Sequence, residues 1–318
     1  MKLKLQARQR QTLEINNMTQ FTSNDLRGVG VALVTPFTKE GLVDYAALDQ
    51  LVSHCIGGGC SYLVALGTTG ETATLSLEEQ QVVLNKVISA AKGRIPVIAG
   101  LGGNNTHEVV QRIPLLDQEG VAGFLSSSPH YNKPTQEGIF RHYMAIAEAS
   151  PKPVILYNVP SRTAQSMDSS TVLRLAAASK NIIGIKEASG DLSQAMRIIA
   201  QAPDDFALVS GDDFLTLPLI ALGATGVISV TANAFPKSFA HLVRAALNYD
   251  LNEAQKLQVI LNPFFEALFE ENNPGGIKCA LESMGLIEGH LRLPLIPVSE
   301  KNQIEIQNAL RIIAEWEL

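Results

Sequence analysis

Residues 182–201 read IIGIKEASGDLSQAMRIIAQ. The β-branched apolar run that begins at Ile182 ends at Lys186, and Gly190 follows in a loop. A run bounded in this way reads as a buried strand. Asp191 then heads DLSQAMRIIAQA (191–202), a helical pattern that begins with a cap residue. The unit is strand, loop, helix, and it recurs on both sides. Comparable apolar runs are VGVALVTPF (29–37), YLVALG (62–67), PVIAGLG (96–102), GFLSSSP (123–129), PVILYNVP (153–160), FALVSGDD (206–213) and GVISVTAN (226–233). They are near-continuous in apolar character, not alternating, as expected for parallel strands buried on both faces.

Helical patterns lie between them. SLEEQQVVLNKVISAAKG (76–93) opens with Ser76 as N-cap and Glu79 three residues on, a capping box, and closes on Gly93. DSSTVLRLAAAS (168–179) starts on Asp168. Pro114 falls inside the third helical pattern and predicts a kink; Pro218 sits similarly in FLTLPLIALG (214–223). Strand–helix units with short loops build a closed (β/α)8 barrel or an open doubly wound sheet. The count of eight runs favours the barrel, as does the lack of a G-x-G-x-x-G after the first. GLGGN (100–104) follows the third run without an acidic partner at the required distance, so it is a superficial match. The fold class is therefore α/β, a TIM barrel over residues 26–245. An N-terminal extension over 1–25 is expected to be loosely ordered, with Met18 an alternative start. Residues 246–318 form an all-helical C-terminal extension, with helices at 251–271, 275–285 and 300–317.

The chain of 318 residues suits one large barrel plus an appendage. Hydrophobic residues make up 46% and charged residues 18%, a globular composition with a large core. The net charge of -6 argues against nucleic acid as partner. No apolar run is long enough to span a membrane, and the polar N-terminus has no apolar core of a secretory signal. Cys55, Cys60 and Cys279 have no metal-ligand spacing, and their odd number suits a reducing cytoplasm.

In a barrel, chemistry belongs to the loops at the C-terminal ends of the strands. Those ends carry Gly67-Thr68-Thr69-Gly70-Glu71, Ser128-Pro129-His130-Tyr131-Asn132, Tyr157 with Arg162, Lys186, and Ser210-Gly211-Asp212-Asp213. Each has a plain structural reading: hydroxyls bonded to a local turn, core phenols, a surface ion pair, helix caps, a lysine that snorkels to water. Together they place an amine, two phenols, two hydroxyls and a guanidinium on one rim. That set suits carbonyl chemistry without a cofactor or metal. A lysine in an apolar wall is poorly solvated as ammonium, and the neutral amine attacks a keto group. Phenols and a hydroxyl relay protons, a Gly-Thr-Thr-Gly turn can hold a carboxylate, and arginine can grip a second one.

GTTGE, SPHYNKPTQEG, YNVPSRT, GIKEASG, SGDD and GVISVTAN, in this order, resemble the pyruvate-dependent class I aldolase/lyase superfamily. Within it the chain is most similar to the dihydrodipicolinate (4-hydroxy-tetrahydrodipicolinate) synthase family, from about Gly28 to the C-terminus. The resemblance implies condensation of pyruvate with L-aspartate 4-semialdehyde, the first committed step of lysine and diaminopimelate biosynthesis. It also implies a cytoplasmic homotetramer, a dimer of tight dimers. Lys186 would form the Schiff base and Tyr157 would shuttle the central proton. Thr69 and Tyr131 would complete the relay, Tyr131 reaching in from a neighbouring subunit. Thr68 and Thr69 would bind the pyruvate carboxylate, Arg162 that of the semialdehyde, and Gly211 and Ile228 would line the pocket through backbone atoms. Thr72, Ala73, Asn104, Glu108 and His130 correspond to a lysine effector site. His130 stands where well-known bacterial members have a tyrosine, and Leu77 and Gln80 where histidine is common, which implies weakened feedback by lysine. Two other readings stay open: a sialic-acid lyase or keto-deoxy sugar acid aldolase using the same Lys186 and Tyr157, and a keto-acid sensor without turnover.

Overall fold

The computed structural model describes residues 20–317. Eight parallel strands close into one barrel in sequence order: β1 (Gly28–Ala32), β2 (Tyr62–Ala65), β3 (Val97–Leu101), β4 (Val121–Ser127), β5 (Val154–Asn158), β6 (Ile182–Glu187), β7 (Ala207–Ser210) and β8 (Gly226–Ser229). The barrel closes where Gly28 to Val31 of β1 pair with Gly226 to Ser229 of β8. Each of the eight apolar runs overlaps one strand; β1 and β4 begin one and two residues before their runs. Six strands are buried at every position, because helices cover the outside and side chains fill the inside.

The outer ring is α1 (Tyr45–Gly57), α2 (Leu77–Ala91), α3 (Thr106–Leu116), α4 (Gln136–Ala149), α5 (Ser169–Ala178), α6 (Leu192–Gln201), α7 (Thr216–Ala221) and α8 (Pro236–Leu247). The capping box of α2 forms in both directions: Glu79 N donates to Ser76 Oγ at 3.2 Å and Ser76 N to Glu79 Oε2 at 2.9 Å. Asp191 caps α6 by accepting from Gln194 N. Asp168 stands at the N-cap of α5 but its side chain accepts no cap bond. Gln136 of α4 ties that end down instead, accepting from Asp168 N and Thr171 Oγ1. Pro114 lies in the last turn of α3, which ends two residues later. Pro218 is the third residue of α7, within the first turn, where an amide would have no helical partner.

The extension expected over 1–25 lies, up to residue 19, outside the described residues. From there it departs from the expectation of loose order. Phe21 and Leu26 are buried, and Phe21 meets the Tyr62 ring edge-on at 6.5 Å. Apolar side chains under the barrel floor order residues 20–25. At the other end, α9 (Leu251–Phe269), α10 (Gly275–Ser283) and α11 (Glu300–Glu317) follow the barrel. Phe264 and Phe265 of α9 pack edge-on against Phe235 and Phe239 at 5.0 and 5.7 Å. Gly276 lets α10 approach α9, since a Cβ there would stand 2.4 Å from the Leu268 carbonyl oxygen.

His142 is buried in α4, with Nδ1 2.9 Å from Thr106 Oγ1. Burial lowers its pKa from 6.5 to about 4. The folded chain therefore resists protonation that the unfolded chain accepts. Stability is full above about pH 6.5 and falls as pH drops towards about 4, by about 3 kcal/mol across that window. Denaturant titrations of wild type and His142→Gln between pH 7 and 4 check this: the variant is expected to lose that part of the acid slope. An equal slope in both would contradict it.

Candidate active site

Lys186 is the fifth residue of β6 and Tyr157 the fourth of β5. The parallel register pairs these two residues directly, so their side chains leave the ladder together. Both are buried, and Lys186 Nζ lies 4.5 Å from the centroid of the Tyr157 ring. They line a cavity of about 1290 Å³ at the C-terminal ends of the strands. Among the described residues no group of three or more His, Cys, Asp or Glu converges as a metal-ligand set.

Behind the pair stands a buried carboxylate that sequence reasoning passed over. Glu187 accepts from Asn158 Nδ2 through both oxygens at 3.1 Å, from Ser189 N at 2.7 Å and from Gln194 Nε2 at 3.1 Å. Asn158 Oδ1 in turn accepts from Met167 N. The residue after each of Tyr157 and Lys186 is thus locked to the other, which holds the two strand ends in register. Gly211, after β7, donates its N–H to the Glu187 carbonyl at 2.7 Å.

The turn after β2 forms a second wall. Thr68 to Gly70 make a 3-10 turn, and Thr68 and Thr69 both face the cavity. Asn273, just before α10, donates from Nδ2 to Thr69 Oγ1 at 3.0 Å. Glu71 ends the turn in the left-handed region, at φ 52°, with its carboxylate 2.5 Å from Lys278 Nζ of α10. Burial lowers Lys278 to about 8, against the pull of Glu71. Arg162 is the third residue of the single helical turn Pro160–Thr163 after β5, and its exposed side chain lines the cavity. Among the described residues it has no ion-pair partner.

Lys186, Tyr157, Thr68, Thr69, Arg162 and Gly211 therefore share one cavity. Two expected members lie apart. Ile228 is buried within β8, in register with Gly30, and Val230 lines the wall in that place. Tyr131 is 87% exposed, at φ 68°, away from the cavity wall of the single chain. Of the effector set, Thr72, Ala73 and His130 border the same cavity; Asn104 accepts from His130 N, and Glu108 accepts from Asn105 Nδ2. Gln80 is buried and bonded on both sides, donating to Leu75 O at 3.0 Å and accepting from Arg112 at 2.7 Å.

Residues 25–313 match the Dihydrodipicolinate synthetase family. The chain belongs to this family. The 4-hydroxy-tetrahydrodipicolinate synthase of Flavobacterium psychrophilum is 51% identical over 273 residues, covering 86% of this chain and 93% of that protein. The crystal structure of dihydrodipicolinate synthase from Aquifex aeolicus is 40% identical, with a TM-score of 0.88 over 91% of this chain and 98% of its own. A monomeric dihydrodipicolinate synthase variant is 38% identical, with a TM-score of 0.89 over 92% and 98%.

In this member of the family, the space at Gly211 controls where the lysine sits. A Cβ there would stand 2.6 Å from Ala188 Cβ and 3.0 Å from Lys186 Cε. Gly211→Ala is expected to destabilise the fold by about 1–3 kcal/mol through overpacking. A crystal structure of the variant is expected to show Lys186 displaced from its place over the Tyr157 ring. An unmoved lysine would contradict the tight fit.

Proposed function

We propose that the chain condenses pyruvate with L-aspartate 4-semialdehyde to 4-hydroxy-tetrahydrodipicolinate, as a lyase of the class I aldolase type serving lysine and diaminopimelate biosynthesis. The observation that carries the reading is the buried Lys186 beside the buried Tyr157 in one cavity. The Lys186 amine adds to C2 of pyruvate and water leaves, forming the imine. Loss of a proton from C3 gives the enamine. Its C3 attacks the aldehyde carbon, whose oxygen takes up a proton. The semialdehyde's own amino group then adds to the imine carbon, closes the ring and expels Lys186.

Tyr157, over the imine, is the group to carry the C3 and aldehyde protons. Thr68 and Thr69 hold the pyruvate carboxylate, and the guanidinium of Arg162, unpaired among the described residues, takes the carboxylate of the semialdehyde. Gly211 contributes backbone contacts, and Val230 stands in the wall where Ile228 was expected. An exposed Tyr131 fits a role shared across subunits: in a homotetramer it would enter a neighbour's relay with Thr69. Arg162 also favours this reading over a sugar-acid aldolase, because a polyhydroxylated aldehyde is matched by neutral hydrogen-bonding groups. The cytoplasm suits Cys55, Cys60 and Cys279, all free and buried.

The test is to incubate the protein with pyruvate, reduce with borohydride and find the modified peptide by mass. The expected product is a reduced adduct on Lys186, absent in Lys186→Ala. Arg162→Ala is expected to keep the adduct and lose about 10- to 100-fold in kcat/KM for the semialdehyde, from a charge-assisted contact of about 1.5–3 kcal/mol. No adduct in the wild type would overturn the mechanism, and full activity of Arg162→Ala would overturn its assignment.

A further inference from the structure

One charged pair lies outside the cavity chemistry and is tied to it. Glu71 ends the turn that carries Thr68 and Thr69; Lys278 arrives from α10, more than 200 residues later. Both side chains are fully buried. Lys278 Nζ also donates to the His290 carbonyl at 2.9 Å and sits 4.1 Å from the centroid of the Phe37 ring. The other Glu71 oxygen accepts from Arg292 N at 3.1 Å. The Arg292 side chain is itself held by Glu79 and by the carbonyls of Gly41 and Thr74.

Stability alone is a poor reason for such a pair. Removing two charges from water costs several kcal/mol per ion, and apolar residues of the same volume often replace a buried pair without loss. The pair does hold geometry. Glu71 keeps a left-handed backbone at φ 52°, a conformation disfavoured for a residue with a Cβ, so the surroundings must hold it there. Its carboxylate is gripped by a side chain and a main chain of the C-terminal segment, while Asn273 of the same segment reaches Thr69. The turn is thus fastened at two of its residues by one distant stretch of chain, 273–292.

We propose that Lys278 is a positioning residue for the keto acid: through Glu71 it fixes the Thr68–Glu71 turn where its hydroxyls meet the substrate carboxylate. The inference rests on the reading of that turn as the carboxylate holder. Lys278 itself does not line the cavity and reaches its wall only through Glu71, which does. Its removal therefore acts first on keto-acid binding, reaches proton transfer to a smaller degree through Thr69 of the same turn, and leaves the second substrate largely alone.

The test uses the full-length protein and Lys278→Met. Two quantities are read: the pyruvate concentration that half-saturates borohydride trapping, and the steady-state constants for both substrates. The expected result is a rise of about tenfold or more in half-saturating pyruvate, with kcat within about threefold and KM for the semialdehyde within about twofold. Leu48→Ala, in the buried face of α1, is the control for lost stability: it is expected to lower the melting temperature without moving half-saturating pyruvate. Should Lys278→Met not fold, Glu71→Gln is read in its place, because it removes the charge and keeps the shape. A folded variant whose half-saturating pyruvate matches wild type would overturn the proposal, and so would an equal rise in Leu48→Ala. A wild type that forms no adduct would instead overturn the keto-acid reading itself, which separates the two failures.

Discussion

The structure depends on the register between β5 and β6. In a parallel ladder, a one-residue slip would turn one of two facing side chains into the barrel wall. Here Tyr157 and Lys186 pair directly, and the next pair along, Asn158 and Glu187, is hydrogen-bonded side chain to side chain. The second pair secures the first. An amine and a phenol are thereby brought together without either belonging to a flexible loop. The cavity is built on strand ends, and its precision comes from the ladder and the bonded carboxylate beneath it.

The C-terminal helices act on the same cavity from outside the barrel. Phe265 and Phe269 of α9 and Asn273 ahead of α10 all contribute to its wall. Through Asn273, Lys278 and the Arg292 main chain, the tail reaches the turn after β2. The Phe37 ring packs against two cations of this tail, with Lys278 Nζ at 4.1 Å and Arg292 Cζ at 4.4 Å from its centroid. An appendage fixed in this way shapes the rim that the barrel alone would leave open.

The barrel was legible because its signal is local. Eight apolar runs, a two-way capping box at Ser76 and Glu79, and Asp191 at the head of α6 are decided within a few residues. The lysine at the end of the sixth run and the tyrosine at the end of the fifth were legible for the same reason. Features that depend on distant partners were not. Glu187 reads as an ordinary charge beside a loop until Asn158 and Gln194 fold onto it. Glu71 reads as part of a turn until Lys278 arrives from α10. Asp168 carries the residue type of a cap, but Gln136 of the neighbouring helix takes the work. Burial under the barrel floor orders residues 20–25, whose polar character suggested otherwise. Gln80 reads as an open polar position until its amide is bonded inward to Leu75 and Arg112.

The central claim is that Lys186 and Tyr157 act together on one bound keto acid, the amine holding it as an imine and the phenol moving the proton at C3. Exchange of the pyruvate methyl protons in heavy water, followed by NMR with no aldehyde present, tests this most directly. The account predicts steady deuterium incorporation with the wild type, none with Lys186→Ala, and incorporation slowed about 100-fold or more with Tyr157→Phe, within the range of a lost general acid–base group. Exchange that persists in Lys186→Ala, or that is unchanged in Tyr157→Phe, would contradict it.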